Sequence, residues 1–321
     1  MTTRPTMPTI ASIEQLSHYC KATADSQRLQ ILRALSKESF GVLELCQVLE
    51  VGQSALSHHL KILANASLVE TRREGTSIFY RRALIHAEDP LKLLRQALFE
   101  SIDSTELPME HAARIREVYD CRHGKAKSFF RKNADRFQEN QNLIAEYNHY
   151  SQCIADVLDN ESIASNATAI EIGPGDSDLI LTLAKRFHNI IAIDNTVEML
   201  EKTRRKTATA EIDNVNFLVG ELRDHGGDCE LLVLNMVLHH LASPINFFFE
   251  AKQHLTAGGC LLIADLCAHD QDWTRDNCGD LWLGFDADEL DGWASAAGFT
   301  KGQSLYLGLK NGFQVQVRTY H

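Results

Sequence analysis

The chain has 321 residues, 44% hydrophobic and 23% charged, with a net charge of −11. That is long enough for two cores, and no apolar run is long enough to span a bilayer. Eight cysteines without a C-x-x-C pair, behind a first ten residues that carry Arg4 but no apolar signal stretch, read as reduced thiols in a cytoplasmic protein. The charge is uneven: residues 1–100 carry +2, residues 101–150 balance, and residues 151–321 carry −13. Phosphate would repel the acidic half, so only the first hundred residues suit a nucleic acid.

Ser12–Ala24 reads as a helix, and Asp25 as the N-cap of a second that carries Leu29, Leu32 and Leu35 on one face. Leu45, Val48 and Leu49 mark a third, ended by the turn Glu50-Val51-Gly52. In the next stretch, from Gln53 to Ala64, Leu56, Leu60 and Leu63 form an inward face, while Ser54, Ser57, His58 and Lys61 form an outward one. Short hydrogen-bonding side chains beside a cation suit a helix lying in a DNA major groove, although an ordinary amphipathic helix carries the same pattern. Leu68–Arg82 reads as two strands joined by a Glu74-Gly75 turn, with Arg72, Arg73, Arg81 and Arg82 beside a phosphate backbone.

Three stretches, Lys21–Leu32, Gln53–Leu63 and Leu68–Tyr80, resemble the ArsR/SmtB family of winged-helix regulators. The resemblance implies a DNA-binding domain over residues 1–103 in which Gln53, Ser54, Ser57, His58, Lys61, Arg72 and Arg73 face a pseudo-palindromic operator. It also implies a homodimer clasped by the helices Ser12–Ala24 and Asp89–Ile102. The latter helix would take Asp89 as N-cap, Pro90 in its first turn and Leu91, Leu94 and Leu98 as its apolar stripe. Metal sensors of this family often place C-x-C early in the helix before the recognition helix. Gly41 and Leu43 occupy those positions, Cys46 stands alone, and only His86 lies near the last helix, so no metal is expected.

Asp103–Pro108 interrupts the helical pattern and marks a boundary. Residues 104–150 read as a helical connector with the first helices of the following domain, and Ser128–Phe137 is similar to the helix that precedes the sheet in class I methyltransferases.

From 151 to 321, strands and helices alternate. Thr168–Ile172, Asn189–Asp194, Val215–Gly220, Leu231–Met236 and Cys260–Leu266 read as strands, with helices to Phe187 and over Thr196–Ala208, Ser243–Leu255 and Asp288–Ala297. A final hairpin, Ser304–Leu309 with Gln314–Tyr320, turns at Lys310-Asn311-Gly312. This order predicts a doubly wound parallel sheet with an antiparallel edge and a ligand at the carboxyl ends of its central strands. Glu171-Ile172-Gly173-Pro174-Gly175 follows the first strand, and Asp194 ends the second. Asp194 suits a carboxylate that accepts from two ribose hydroxyls, a helix cap, or both.

These residues resemble the S-adenosylmethionine-binding motifs of class I methyltransferases. So do Gly220-Glu221, Asn235–Leu241 and Leu255–Gly259, the last apart from Ala257 in place of proline. The expected fold is an α+β winged helix-turn-helix followed by an α/β Rossmann-like class I methyltransferase fold. The implied ligand is S-adenosylmethionine or S-adenosylhomocysteine, held by Glu171, Gly173, Gly175, Asp194, Asn195, Glu221 and Asn235. Ser177 replaces the third glycine of the turn. His239 and His240 stand where a catalytic base could act or where structural histidines often sit, and Asn277–Phe285 reads as either a pocket cap or a packed segment. No cysteines group as in arsenite methyltransferases, and no residue names a methyl acceptor. Two readings remain open. The chain resembles S-adenosylhomocysteine-responsive regulators of methionine-cycle genes, and it also fits a working methyltransferase that carries a DNA-binding domain.

Overall fold

The computed structural model describes residues 11–74, 77–85 and 89–321, except the side chain of Asp135. It divides into two compact units, Met1–Tyr119 and Asp120–His321. The Gly75 turn position and His86 lie outside the described residues.

In the first unit, α1 (Ile13–Thr23) opens on a capping box in which Ser12 Oγ accepts from Gln15 N and Gln15 Oε1 accepts from Ser12 N. α2 (Ser26–Ala34) starts at Asp25, whose carboxylate accepts from Arg28 N. β1 (Phe40–Gly41) leads into α3 (Val42–Leu49), and a left-handed Glu50 (φ 53°) turns the chain into α4 (Gln53–Asn65). Leu56, Leu60 and Leu63 of α4 are fully buried in one core with Leu32, Phe40, Leu45 and Val48. β2 (Val69–Glu74) and β3 (Ser77–Arg82) pair antiparallel with Glu74 opposite Ser77, and β1 adds to β3.

The next helix, α5 (Lys92–Asp103), corrects the expected Asp89–Ile102. Asp89 caps a preceding turn instead: its carboxylate accepts from Leu91 N and its carbonyl from Lys92 N. The Asp side chain offers the backbone a local partner, and this competes with the helix at its start. The core side of α5 is Phe99 and Ile102, while Leu94 of the expected stripe is 39% exposed.

α6 (Met109–Ile144) begins in the first unit and ends in the second. The units divide inside this helix, at Tyr119/Asp120.

The second unit continues with α7 (Tyr147–Asn160), β4 (Thr168–Ile172), α8 (Leu179–Arg186), β5 (Asn189–Asp194), α9 (Val197–Thr209) and β6 (Val215–Val219). Then come β7 (Cys229–Asn235), α10 (Pro244–His254), β8 (Leu255–Leu266), α11 (Trp273–Cys278), α12 (Ala287–Ala296), β9 (Lys301–Gly308) and β10 (Gln314–Tyr320). The sheet order is β6-β5-β4-β7-β8-β10-β9, parallel through β8, with β10 antiparallel to both neighbours. β4 pairs with β5 on one side and β7 on the other, which makes its carboxyl end the switch point of the sheet. The central strands are buried on both faces, and this is why their sequences run apolar without alternation.

One expected turn is replaced by strand. Leu255–Gly259 belongs to β8, and the register shifts between Cys229 and Leu231 across from it. A strand irregularity takes up the glycine pair, with Gly258 at φ 80°. This multidomain chain is a helix-turn-helix followed by a Rossmann-like methyltransferase fold with a mostly parallel sheet.

Candidate ligand site and nucleic-acid face

At the switch point, Gly173 and Gly175 adopt φ 61° and 53°, a region that glycine enters freely. A Cβ on Gly173 would lie 2.8 Å from Val237 Cγ2. α9 anchors the turn through Thr203 Oγ1, which donates to Gly175 O at 2.6 Å, and Lys206 Nζ donates to Asp176 O and pairs with Asp178.

Glu171, two residues before this turn, is fully buried, and neither carboxylate oxygen has a hydrogen-bond partner. Burial pushes its pKa up to about 8, with Lys206 pulling the other way. Asn235, at the end of the adjacent strand β7, is buried as well. Its Nδ2 donates to Ser177 Oγ at 3.1 Å, and its Oδ1 has no partner. Ser177 Oγ also accepts from Leu179 N, so the residue that replaces a glycine ties β7 to the start of α8. The next residue after Asn235, Met236, sits at φ 56°, a strained conformation for a non-glycine residue and of the kind that clusters at functional sites. The site therefore holds buried acceptors beside an open backbone, an arrangement that fits a ligand bringing an ammonium group.

Asp194 is half-buried at the end of β5, and burial raises its pKa to about 6. One oxygen accepts from Thr196 N at 2.8 Å, and Thr196 is the N-cap residue of α9. Asn195 Oδ1 accepts from Thr196 Oγ1. Glu221 is committed elsewhere: His123 stands 3.4 Å from one oxygen and Arg223 2.5 Å from the other. Arg223 thus pairs with its carboxylate, and the neighbouring Leu222 is buried.

His239 and His240 occupy a short 3-10 turn after β7 and are buried. His239 Nδ1 lies 2.6 Å from Asp265 Oδ1, and Asp280 stands 3.7 Å from both rings. Burial alone would lower the His239 pKa, but Asp265 and Asp280 outweigh it and hold it at about 9. Burial and the neighbouring His239 hold His240 well below the usual range. Asn277–Phe285 is a packed segment: Trp282, Leu283 and Phe285 are buried, and Leu281 N and Trp282 N both donate to His239 O.

In the first unit, Gln53, Ser54, Ser57, His58 and Lys61 are all exposed on α4, opposite its leucines. The wing arginines divide. Arg73 is exposed, whereas Arg72 pairs with buried Glu74 and Arg81 pairs with Glu70 at 2.6 Å. Arg82 makes a two-pronged bond to Asp103 at 2.9 and 2.8 Å and stacks on Phe99.

Residues 25–71 match a family model described as bacterial regulatory protein, arsR family, and residues 163–297 match one described as methyltransferase domain. The transcriptional repressor SmtB homolog of Synechocystis sp. is 31% identical over 98 residues, which cover 30% of this chain and 74% of that protein. The chain belongs to the ArsR family. The transcriptional activator HlyU of Vibrio cholerae is 41% identical over 76 residues, 24% of this ArsR-family chain and 70% of its own length. A solved SAM dependent methyltransferase from Aquifex aeolicus is 17% identical with a TM-score of 0.45, over 57% of this chain and 97% of that one. This ArsR-family protein is thus a DNA-binding transcriptional regulator fused to a methyltransferase domain. No helix among its described residues is long and apolar enough to cross a membrane.

Sequence patterns did not point to Tyr150 or Asp265. Tyr150 is buried near the Asn235 side chain, and Asp265 holds His239. Both act on residues far away in the chain and leave no periodic trace.

Proposed function

We propose that this ArsR-family protein is a cytoplasmic homodimeric repressor whose operator affinity is set by S-adenosylhomocysteine or S-adenosylmethionine bound in its second unit. The observation that carries the reading is the pair of buried, unpartnered acceptors, Glu171 and Asn235 Oδ1, beside Gly173 and Gly175. The methionyl ammonium would satisfy both. Asp194 would accept from the ribose hydroxyls and Asn195 would lie beside it, with the residues around Glu221 against the adenine. S-adenosylmethionine, when bound, supplies a sulfonium methyl group, and its demethylated product supplies none. The chain's own groups bind and orient either one.

Dimerisation is supported by exposed apolar residues on two adjacent helices: Ile13 (81% exposed) and Leu16 on α1, with Leu93 (81%) and Leu94 on α5. Tyr19 Oη donates to Leu94 O and ties the two helices together. Gln53, Ser54, Ser57, His58 and Lys61 would enter the major groove, with Arg73 at the wing reaching phosphate and Arg72 behind it. For methyl transfer, the second reading, His239 would serve as base or His240 beside it. Both rings are sealed from solvent, which favours sensing over turnover.

The deciding experiment is an operator gel shift titrated with each adenosyl ligand, run beside an assay for S-adenosylhomocysteine release from candidate acceptors. A ligand-dependent shift in operator affinity is the expected result. Ligand binding measured by calorimetry with no change in operator affinity, together with turnover, would replace the sensor by the enzyme.

A further inference from the structure

We propose that His239, His240 and Asp280 form a zinc(II) site in the second unit, with Asp265 as the group that orients His239. One donor atom from each of the three lies within 4.8 Å of the other two. Asp280 Oδ1 is 3.7 Å from His239 Nε2 and 3.7 Å from His240 Nδ1. Ligands on a tetrahedral zinc at about 2.0–2.1 Å stand roughly 3.3–3.4 Å from one another. Asp280 therefore needs to close on each ring nitrogen by only a few tenths of an ångström, and the 3.7 Å separations are too long for hydrogen bonds.

The cluster has the features of a coordination site. His239 is fully buried, and His240 and Asp280 are 7% and 2% exposed. His239 Nε2 has no hydrogen-bond partner, and His240 Nδ1, the ring atom that faces Asp280, lies 3.3 Å from Gly279 O, a contact that zinc would replace. His239 Nδ1 is held by Asp265 at 2.6 Å, and Asp265 is itself fixed by Leu238 N and Leu266 N. A carboxylate on one ring nitrogen aims the lone pair of the other, which is how metal-binding histidines are commonly oriented. His240 packs edge-on against Phe130 and Phe137 at 4.9 and 6.0 Å, so an apolar wall closes that side. The two ligand segments are joined by the bonds from Leu281 N and Trp282 N to His239 O.

Two imidazoles and one carboxylate suit a borderline cation such as zinc better than calcium or magnesium, which take mostly oxygen ligands. Three protein ligands leave one tetrahedral position for water or an added ligand. A second cluster, Glu161, Cys260 and His321, is a weaker candidate because the Glu161 carboxylate already accepts from Gln303 and Thr319. The proposed site lies outside the first unit, where the sequence pattern argues against metal, and it rests on no adenosyl ligand.

The test uses the full chain, stripped with a chelator, reloaded with zinc, desalted and analysed by mass spectrometry for metal content. One zinc per chain is expected, retained by Cys260→Ser and lost or weakened at least tenfold by Asp280→Asn with the circular dichroism unchanged. Cobalt(II) loaded into the parent chain should show d–d absorption with no thiolate charge-transfer band, a readout that stands even if Asp280→Asn fails to fold. Absence of bound zinc after reloading, equal zinc in parent and Asp280→Asn, or a thiolate–cobalt band would each overturn the assignment.

Discussion

Glu171 can be tested through stability alone. Its carboxyl is buried without a partner, and burial lifts its pKa from 4.5 to about 8. A folded pKa above the unfolded one means that the native state keeps a proton that the unfolded chain has released. The stability linked to Glu171 is therefore fully present below pH 4.5 and is lost as the pH rises through 8. Between pH 5 and pH 8 the loss is about 3 kcal/mol, at about 1.4 kcal/mol per pH unit of linkage. Glu171→Gln keeps the side-chain shape and removes the titration. By calorimetry of the ligand-free chain, the melting temperature of the variant relative to the parent should rise by roughly 6–12 °C from pH 5 to pH 8, for a unit of about two hundred residues. Asp194 and Asp280 titrate identically in both chains and cancel from the comparison. A gap between variant and parent that stays constant across that range would refute the neutral, unpartnered Glu171.

Three further outcomes are expected. Asp194→Ala should lower adenosyl-ligand affinity at least tenfold by calorimetry while operator binding without ligand is unchanged; equal ligand affinity would remove Asp194 from the ribose. Lys61→Ala with Arg73→Ala should reduce the slope of log affinity against log salt by about 2, one for each phosphate no longer neutralised. An unaltered slope would undo the proposed docking of α4 and the wing. Leu93→Glu places a charge on the exposed apolar surface of α5 and should convert the protein to a monomer by light scattering; a dimeric mass would move the interface elsewhere.

The parallel strands were legible because burial on both faces makes them continuously apolar, and the Gly173 turn and Asp194 stood at their carboxyl ends as expected. Element starts were less legible. Asp89 signals a cap, but its side chain serves a turn ahead of α5, a choice set by local hydrogen bonding rather than periodicity. The wing arginines show where residue type falls short. Glu70 lies directly opposite Arg81 in the hairpin, so that pair follows from register, whereas the Arg82–Asp103 bond joins two elements and needs the fold. The partners of Asn235 and His239 were hidden for the same reason, since Ser177 and Asp265 reach them from other strands and loops.

The bond from Asn235 to Ser177 has a consequence for how the second unit would respond to its ligand. An amide can present either its oxygen or its nitrogen, and a free one must choose as the ligand arrives. Here the nitrogen is already engaged, and the oxygen is left without a partner before anything binds. Fixing that rotamer in advance removes an ordering cost from association and biases the site toward donors such as ammonium over carboxylates. Under the proposed sensing function, a serine in place of a glycine would make this corner of the sheet a receptor set in its bound form, able to track a metabolite's concentration without first having to assemble.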